Sequence, residues 1–141
     1  MNIQWFPGHM TKAIRMMEEN LRLVDALIYV IDSRAVFSSA NPLFDKLIAG
    51  KRVLYVFNKT DLVNASDTDL WCARFAEEGK PFVKAVGTSG DCSAIVAGLR
   101  KIASDKLERF DKKGAKVSVR AMVVGVPNSG KSTIINSMCK R

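Results

Sequence analysis

The spacing of apolar residues changes several times along the chain. Met10, Ile14, Met17, Leu21 and Val24 recur three or four apart with charges between them, which predicts a helix over residues 10–23. Asp25–Asp32 (DALIYVID) is instead an unbroken apolar run ending in an acid. Arg52–Phe57 (RVLYVF), Pro81–Val86 and Val117–Val124 are similar short runs, rich in β-branched and aromatic residues. They read as buried strands. Helical stretches fall between them. Asn41-Pro42 opens a short one, with Pro42 at its first position, and Gly50 closes it. Ser66–Glu78 is amphipathic, with Ser66 or Asp67 as N-cap and Gly79 as the stop. Asp91–Phe110 is a long helix, and Lys131–Arg141 begins another after the loop Gly125–Ser129. Strands that are apolar on both faces and alternate with helices indicate a parallel sheet covered on each side, an α/β fold. The basic stretch Asp111–Lys116 reads as a surface loop, so residues 1–141 are expected to form one domain.

Composition supports a packed core: 48% of the 141 residues are hydrophobic and 26% charged. The longest apolar runs, Ala26–Ile31 and Val53–Phe57, are too short to cross a bilayer. The opening Met1-Asn2-Ile3-Gln4-Trp5 lacks the plan of a signal or transit peptide, so a cytoplasmic location is expected. Cys72, Cys92 and Cys139 have no metal-ligand spacing, and His9 is the sole histidine; free thiols are the simple reading. The net charge of +8 favours a polyanionic partner, RNA before membrane. A protein that is merely basic fits the charge equally well. No DNA partner is expected.

Chemistry enters at Gly125-Val126-Pro127-Asn128-Ser129-Gly130-Lys131-Ser132, which fits Gly-x-x-x-x-Gly-Lys-Ser/Thr between a strand and a helix. Average composition produces such a match in roughly one chain of this length in a few hundred. Glycines let successive backbone amides face one anion. The helix starting near Lys131 points its positive end at the phosphates, Lys131 reaches the β- and γ-phosphates, and Ser132 gives a hydroxyl to Mg²⁺. Asn128, Ser129, Gly130 and Thr133 complete this half of the site.

A phosphate loop does not choose a base. Asn58-Lys59-Thr60-Asp61 follows the strand RVLYVF, at the carboxyl end where parallel sheets bind ligands. Asp61 can accept two hydrogen bonds from guanine, a donor pair adenine lacks. Lys59 would lay its stem along the purine face, and Asn58 would brace the neighbouring loops. Thr88-Ser89-Gly90 follows the next strand, where a backbone amide could meet the guanine oxygen; a simple turn is the alternative. Asp32-Ser33-Arg34 ends a strand on the same side. It reads as a capping acid with an exposed arginine, or as a nucleotide-adjacent or ribosome-facing element. A P-loop ATPase or kinase is disfavoured by Asn58–Asp61.

The base motif precedes the phosphate loop by about seventy residues, the reverse of ordinary GTPases, which circular permutation explains. Gln4-Trp5-Phe6-Pro7-Gly8-His9-Met10, Asp32-Ser33-Arg34 and Ser38-Ser39-x-Asn41-Pro42, followed by the motifs above in this order, resemble the ribosome biogenesis GTPase A (YlqF/RbgA) family over the whole chain. The resemblance implies a Rossmann-like three-layer P-loop NTPase fold, permuted and incomplete. It implies GTP/GDP with Mg²⁺, GTP hydrolysis in late assembly of the large ribosomal subunit, and ribosomal RNA as partner. A non-hydrolysing guanine-nucleotide- and RNA-binding module of the same fold is the alternative. His9 matches the family histidine considered as a replacement for the catalytic glutamine; contact with RNA or packing on the domain is the other reading. Asn128 matches GTPases that use K⁺ beside the phosphates, and a loop-bracing amide is equally open. The family's switch threonine, Asp-x-Pro-Gly motif and C-terminal helical domain do not occur here. The chain is therefore expected to be partial, to bind guanine nucleotide weakly and to hydrolyse it hardly at all. Its oligomeric state is left open.

Overall fold

The structure, a computed structural model, describes residues 15–36, 45–46, 48–86, 89, 92–104, 119–125 and 130–139. Four strands in the described residues, β1 (Ala26–Asp32), β2 (Val53–Asn58), β3 (Phe82–Lys84) and β4 (Ala121–Val124), form one sheet in the order β3-β2-β1-β4. Every neighbouring pair is parallel, as the runs apolar on both faces predict. The alternation of side chains then divides the core. Leu27, Tyr29 and Ile31 of β1 and Tyr55 and Phe57 of β2 point to one face, where they meet Met17 and Leu21 of α1 (15–21) and Cys72 and Phe75 of α2 (Ala65–Glu77). Ala26, Ile28, Val30, Leu54 and Val56 point to the other, against Ile95 and Leu99 of α3 (Ser93–Ile102) and Ile134 of α4 (Lys131–Cys139). This is the expected three-layer arrangement. An aromatic cluster locks α2 in place, with Phe75 edge-on to Tyr55 at 5.2 Å and to Phe57 at 4.9 Å.

Element ends depart from the pattern for local reasons. The first helix, described from residue 15, stops at Leu21, whose carbonyl accepts from Lys51 Nζ at 3.0 Å. The α2 helix starts earlier than Ser66 or Asp67 would set it. Asn64 is the N-cap, extended at φ −66°, and its carbonyl accepts from Asp67 N–H at 3.1 Å. Ser66 and Asp67 therefore lie inside the first turn, where the helix dipole favours the Asp67 carboxylate. The stop at Gly79 is as expected. Its φ of +71° lets Gly79 N–H reach Ala76 O at 3.1 Å and Lys80 N–H reach Phe75 O at 2.9 Å, a Schellman cap. Strand β4 begins only at Ala121, because Arg120 N–H is taken by the Asp25 carboxylate at 2.8 Å. The α3 helix starts at Ser93; the expected span beyond residue 104 lies outside the described residues.

Chain order places the site. The chain steps from β1 to β2 to β3 in one direction and returns past β1 to add β4. The order reverses between β1 and β4, and the carboxyl ends beside such a reversal are where open α/β sheets hold ligands.

Candidate nucleotide-binding site

Register puts the last residues of β1 and β2 side by side, Asp32 against Asn58. Asn58 is only 2% exposed, and its carbonyl accepts from Ser33 N–H at 2.9 Å. The chain then turns sharply. Lys59 takes the left-handed conformation (φ 61°, ψ 33°), and Leu62 N–H bonds back to Lys59 O at 3.0 Å around the 3-10 turn Thr60–Leu62. Lys59 is the one non-glycine residue with positive φ among the described residues. That conformation costs about 1–2 kcal/mol and persists where the surroundings dictate it. They do so here: Thr60 Oγ1 donates to Ala85 O at 3.2 Å, tying the turn to the exit of β3. Asp61 is exposed in the turn and, with Asn58, Lys59, Leu62, Val86, Gly130 and Thr133, lines a cleft of about 190 Å³.

The opposite wall comes from the start of α4. Gly130 has φ +92°, and its carbonyl accepts from Ile134 N–H at 3.1 Å in the first helical turn. A Cβ there would run into Asn58 Nδ2 and come within 3.6 Å of Lys59 Cε. The glycine is thus required by backbone and neighbours alike. It brings Asn58 and Lys59 against the start of α4, although about seventy residues separate them in sequence. Lys131 is 7% exposed, and burial pushes its ammonium below the usual lysine range. A positive group held out of water at the positive end of a helix is a setting that an anion stabilises. Ser132 is exposed one residue on. In the third loop, Ser89 N–H donates to Val86 O at 2.9 Å, forming a turn next to the cleft wall. Thr88, Gly90, Asn128, Ser129 and His9 lie outside the described residues.

Asp32 touches this group through Lys59, and Arg34 holds Asp32 in turn. Asp32 Oδ1 accepts from Arg34 N at 2.9 Å and Nε at 3.1 Å, and Oδ2 from Arg34 Nη2 at 2.8 Å and Lys59 Nζ at 3.3 Å. The Arg34 guanidinium, with the Arg34 backbone N–H and Lys59 behind it, holds the Asp32 carboxyl at about 2 against the opposing effect of burial. The signal available in sequence was that Asp32 and Asn58 both terminate apolar runs; their lateral register was not. Larger clefts of about 620, 540 and 810 Å³ lie elsewhere, around Lys51, Arg52 and Lys80, beside Arg34 and Trp71, and between β3 and α3. None of these three contains a residue of the phosphate or base motifs. Cys72 and Cys92 are free and buried, as expected.

No family model matches the chain. Individual proteins do. Over its full length it is 39% identical to ribosome biogenesis GTPase A of Bacillus cereus, covering 48% of that protein. It is 36% identical to the same protein of Bacillus licheniformis, covering 50%. Over 96% of its length it is 36% identical to mitochondrial ribosome-associated GTPase 1 of Mus musculus, covering 41%. Among solved structures, a GDP-bound YlqF matches with a TM-score of 0.65 and 29% identity over 90% of this chain and 48% of that one. GNP-bound YlqF from T. maritima matches at 0.64 and 31%, over 89% and 47%. The chain spans about half the length of the curated relatives it matches. Over that half it is similar along its whole length to the ribosome biogenesis GTPase A (YlqF) proteins.

Proposed function

We propose that this chain is the guanine-nucleotide-binding part of a GTPase that acts in assembly of the large ribosomal subunit. The observation that carries the reading is the contact of Asn58 with Gly130, which makes the base-reading turn and the phosphate loop two walls of one cleft. Asp61 reads the guanine edge, Lys59 covers the base, and Lys131 with the α4 N-terminus receives the phosphates. The names of the relatives, and the GDP and GNP in two YlqF structures, support the same assignment. The Ser132 hydroxyl is a hard oxygen donor directly after Lys131, which suits Mg²⁺. When bound, the ion neutralises charge on the β- and γ-phosphate oxygens. Ribosomal RNA of the large subunit is the proposed partner, in keeping with the charge of +8. Among the described residues no helix is long and apolar enough to cross a membrane.

Titration with GDP, GTP and ATP tests the reading. The chain should bind both guanine nucleotides and not ATP. Asp61→Asn should weaken GDP by on the order of tenfold to a hundredfold, the loss expected for charge-assisted hydrogen bonds. Equal affinity for ATP and GDP would refute it. Co-sedimentation with large subunits, with and without a non-hydrolysable GTP analogue, tests the partner.

A further inference from the structure

We propose that Asp32, clamped by Arg34, is the positioning residue for Lys59, and that it sets guanine-nucleotide affinity from outside the base-reading motif. The inference rests on the nucleotide reading above. A lysine side chain has four rotatable bonds, and ordering it costs conformational entropy. Lys59 is three-quarters buried and is drawn in one direction: its Nζ lies 3.3 Å from Asp32 Oδ2, and its Cε passes over Gly130. The stem therefore crosses the cleft before any ligand arrives. The anchor is itself immobile. Asp32 is 8% exposed and sits at the end of a central strand, and Arg34 grips it with Nε, Nη2 and its own backbone N–H. A carboxylate fixed at both oxygens cannot swing to follow a lysine, so the lysine conforms to it. Arg34 has nearly half its side-chain surface in water and is not among the residues lining the cleft, so its part is to hold the acid.

A merely structural Asp32 would end β1 and nothing more. The two roles separate in a double-mutant cycle read by GDP affinity, with thermal unfolding monitored in parallel. Asp32→Asn should weaken GDP binding about tenfold. Lys59→Met should weaken it at least as much, and adding Asp32→Asn to Lys59→Met should cost nothing further. Arg34→Ala should give a smaller loss that also vanishes in the Lys59→Met background. This second cycle carries the test if Asp32→Asn fails to fold. Losses that add, or wild-type affinity in Asp32→Asn, overturn the inference while leaving the nucleotide reading intact. A wild type that binds no GDP overturns both.

Discussion

Gly130→Ala should be among the most damaging single-methyl changes in this chain. Two costs combine. At φ +92° an L-residue is strained by about 1–2 kcal/mol. The new methyl would also occupy the place of Asn58 Nδ2, and Asn58 is buried at the end of β2 with little room to yield. Overpacking of that kind costs about 1–3 kcal/mol. The loss is then about 2–5 kcal/mol, a large part of the roughly 5–15 kcal/mol that holds a domain together. Gly79→Ala is the matched control. It has a similar φ of +71° and nothing within 4 Å of the added methyl, so only the backbone cost of about 1–2 kcal/mol applies. With a urea m-value of about 2 kcal/mol/M, Gly130→Ala should lower the unfolding midpoint by about 1–2.5 M and Gly79→Ala by under about 1 M. Shortening the opposing side chain should relieve the steric part. Gly130→Ala placed on Asn58→Ser should destabilise less than the two changes added, by about 1 kcal/mol. Equal midpoint shifts for the two glycine variants, or strict additivity with Asn58→Ser, would refute the claim that the base segment and phosphate loop meet here.

Two predictions concern protons. The Asp32 carboxyl, held at about 2 rather than 3.8, contributes roughly 2 kcal/mol above its unfolded value, and this is lost as pH falls from about 4 to about 2. Asp32→Asn should flatten that acid limb in denaturation curves from pH 7 to pH 2, and an unchanged limb would refute it. Lys131 has a lowered value in the ligand-free site, and phosphate should raise it again. GDP binding at alkaline pH should therefore take up a proton and weaken as pH rises. Calorimetry in two buffers of different ionisation enthalpy measures this, with Lys131→Met as the variant that should lose the buffer dependence.

Much of this was legible in sequence because strong local rules applied. The runs DALIYVID and RVLYVF gave β1 and β2 nearly to the residue, since central strands buried on both faces leave little freedom in composition. The Gly79 stop followed from a backbone conformation that glycine adopts cheaply. The motifs gave Asn58–Asp61 and Gly130–Thr133 as neighbours in function, and the cleft now contains Asn58, Lys59, Asp61, Gly130 and Thr133. What could not be read was lateral register. Nothing in Asp32-Ser33-Arg34 tells which residue of another strand will lie beside Asp32, because that depends on how two strands align and not on either alone. The Asn64 cap and the late start of β4 were missed for a related reason. Each was decided by a partner distant in space or by the turn just before it: Asp25 for Arg120, and the 3-10 turn for Asn64.

The reversed motif order follows the same geometric logic. In a sheet of parallel strands every carboxyl end lies on one edge, whatever the order in which the chain visits them. The base turn leaves the end of β2 and the phosphate loop leaves the end of β4, with β1 between them. At a strand spacing of about 5 Å, two steps span about 10 Å. The intervening β1 ends beside both walls and reaches the cleft through Lys59, whose Nζ lies 3.3 Å from the Asp32 carboxylate. Its terminal residue is Asp32. Chain order fixed neither the placement nor the chemistry of that residue. The topology fixed the placement, by making the middle strand end between the Asn58–Asp61 turn and the start of α4. An acid at that point is buried at least cost when cations answer it, and among the described residues Arg34 and Lys59 do so.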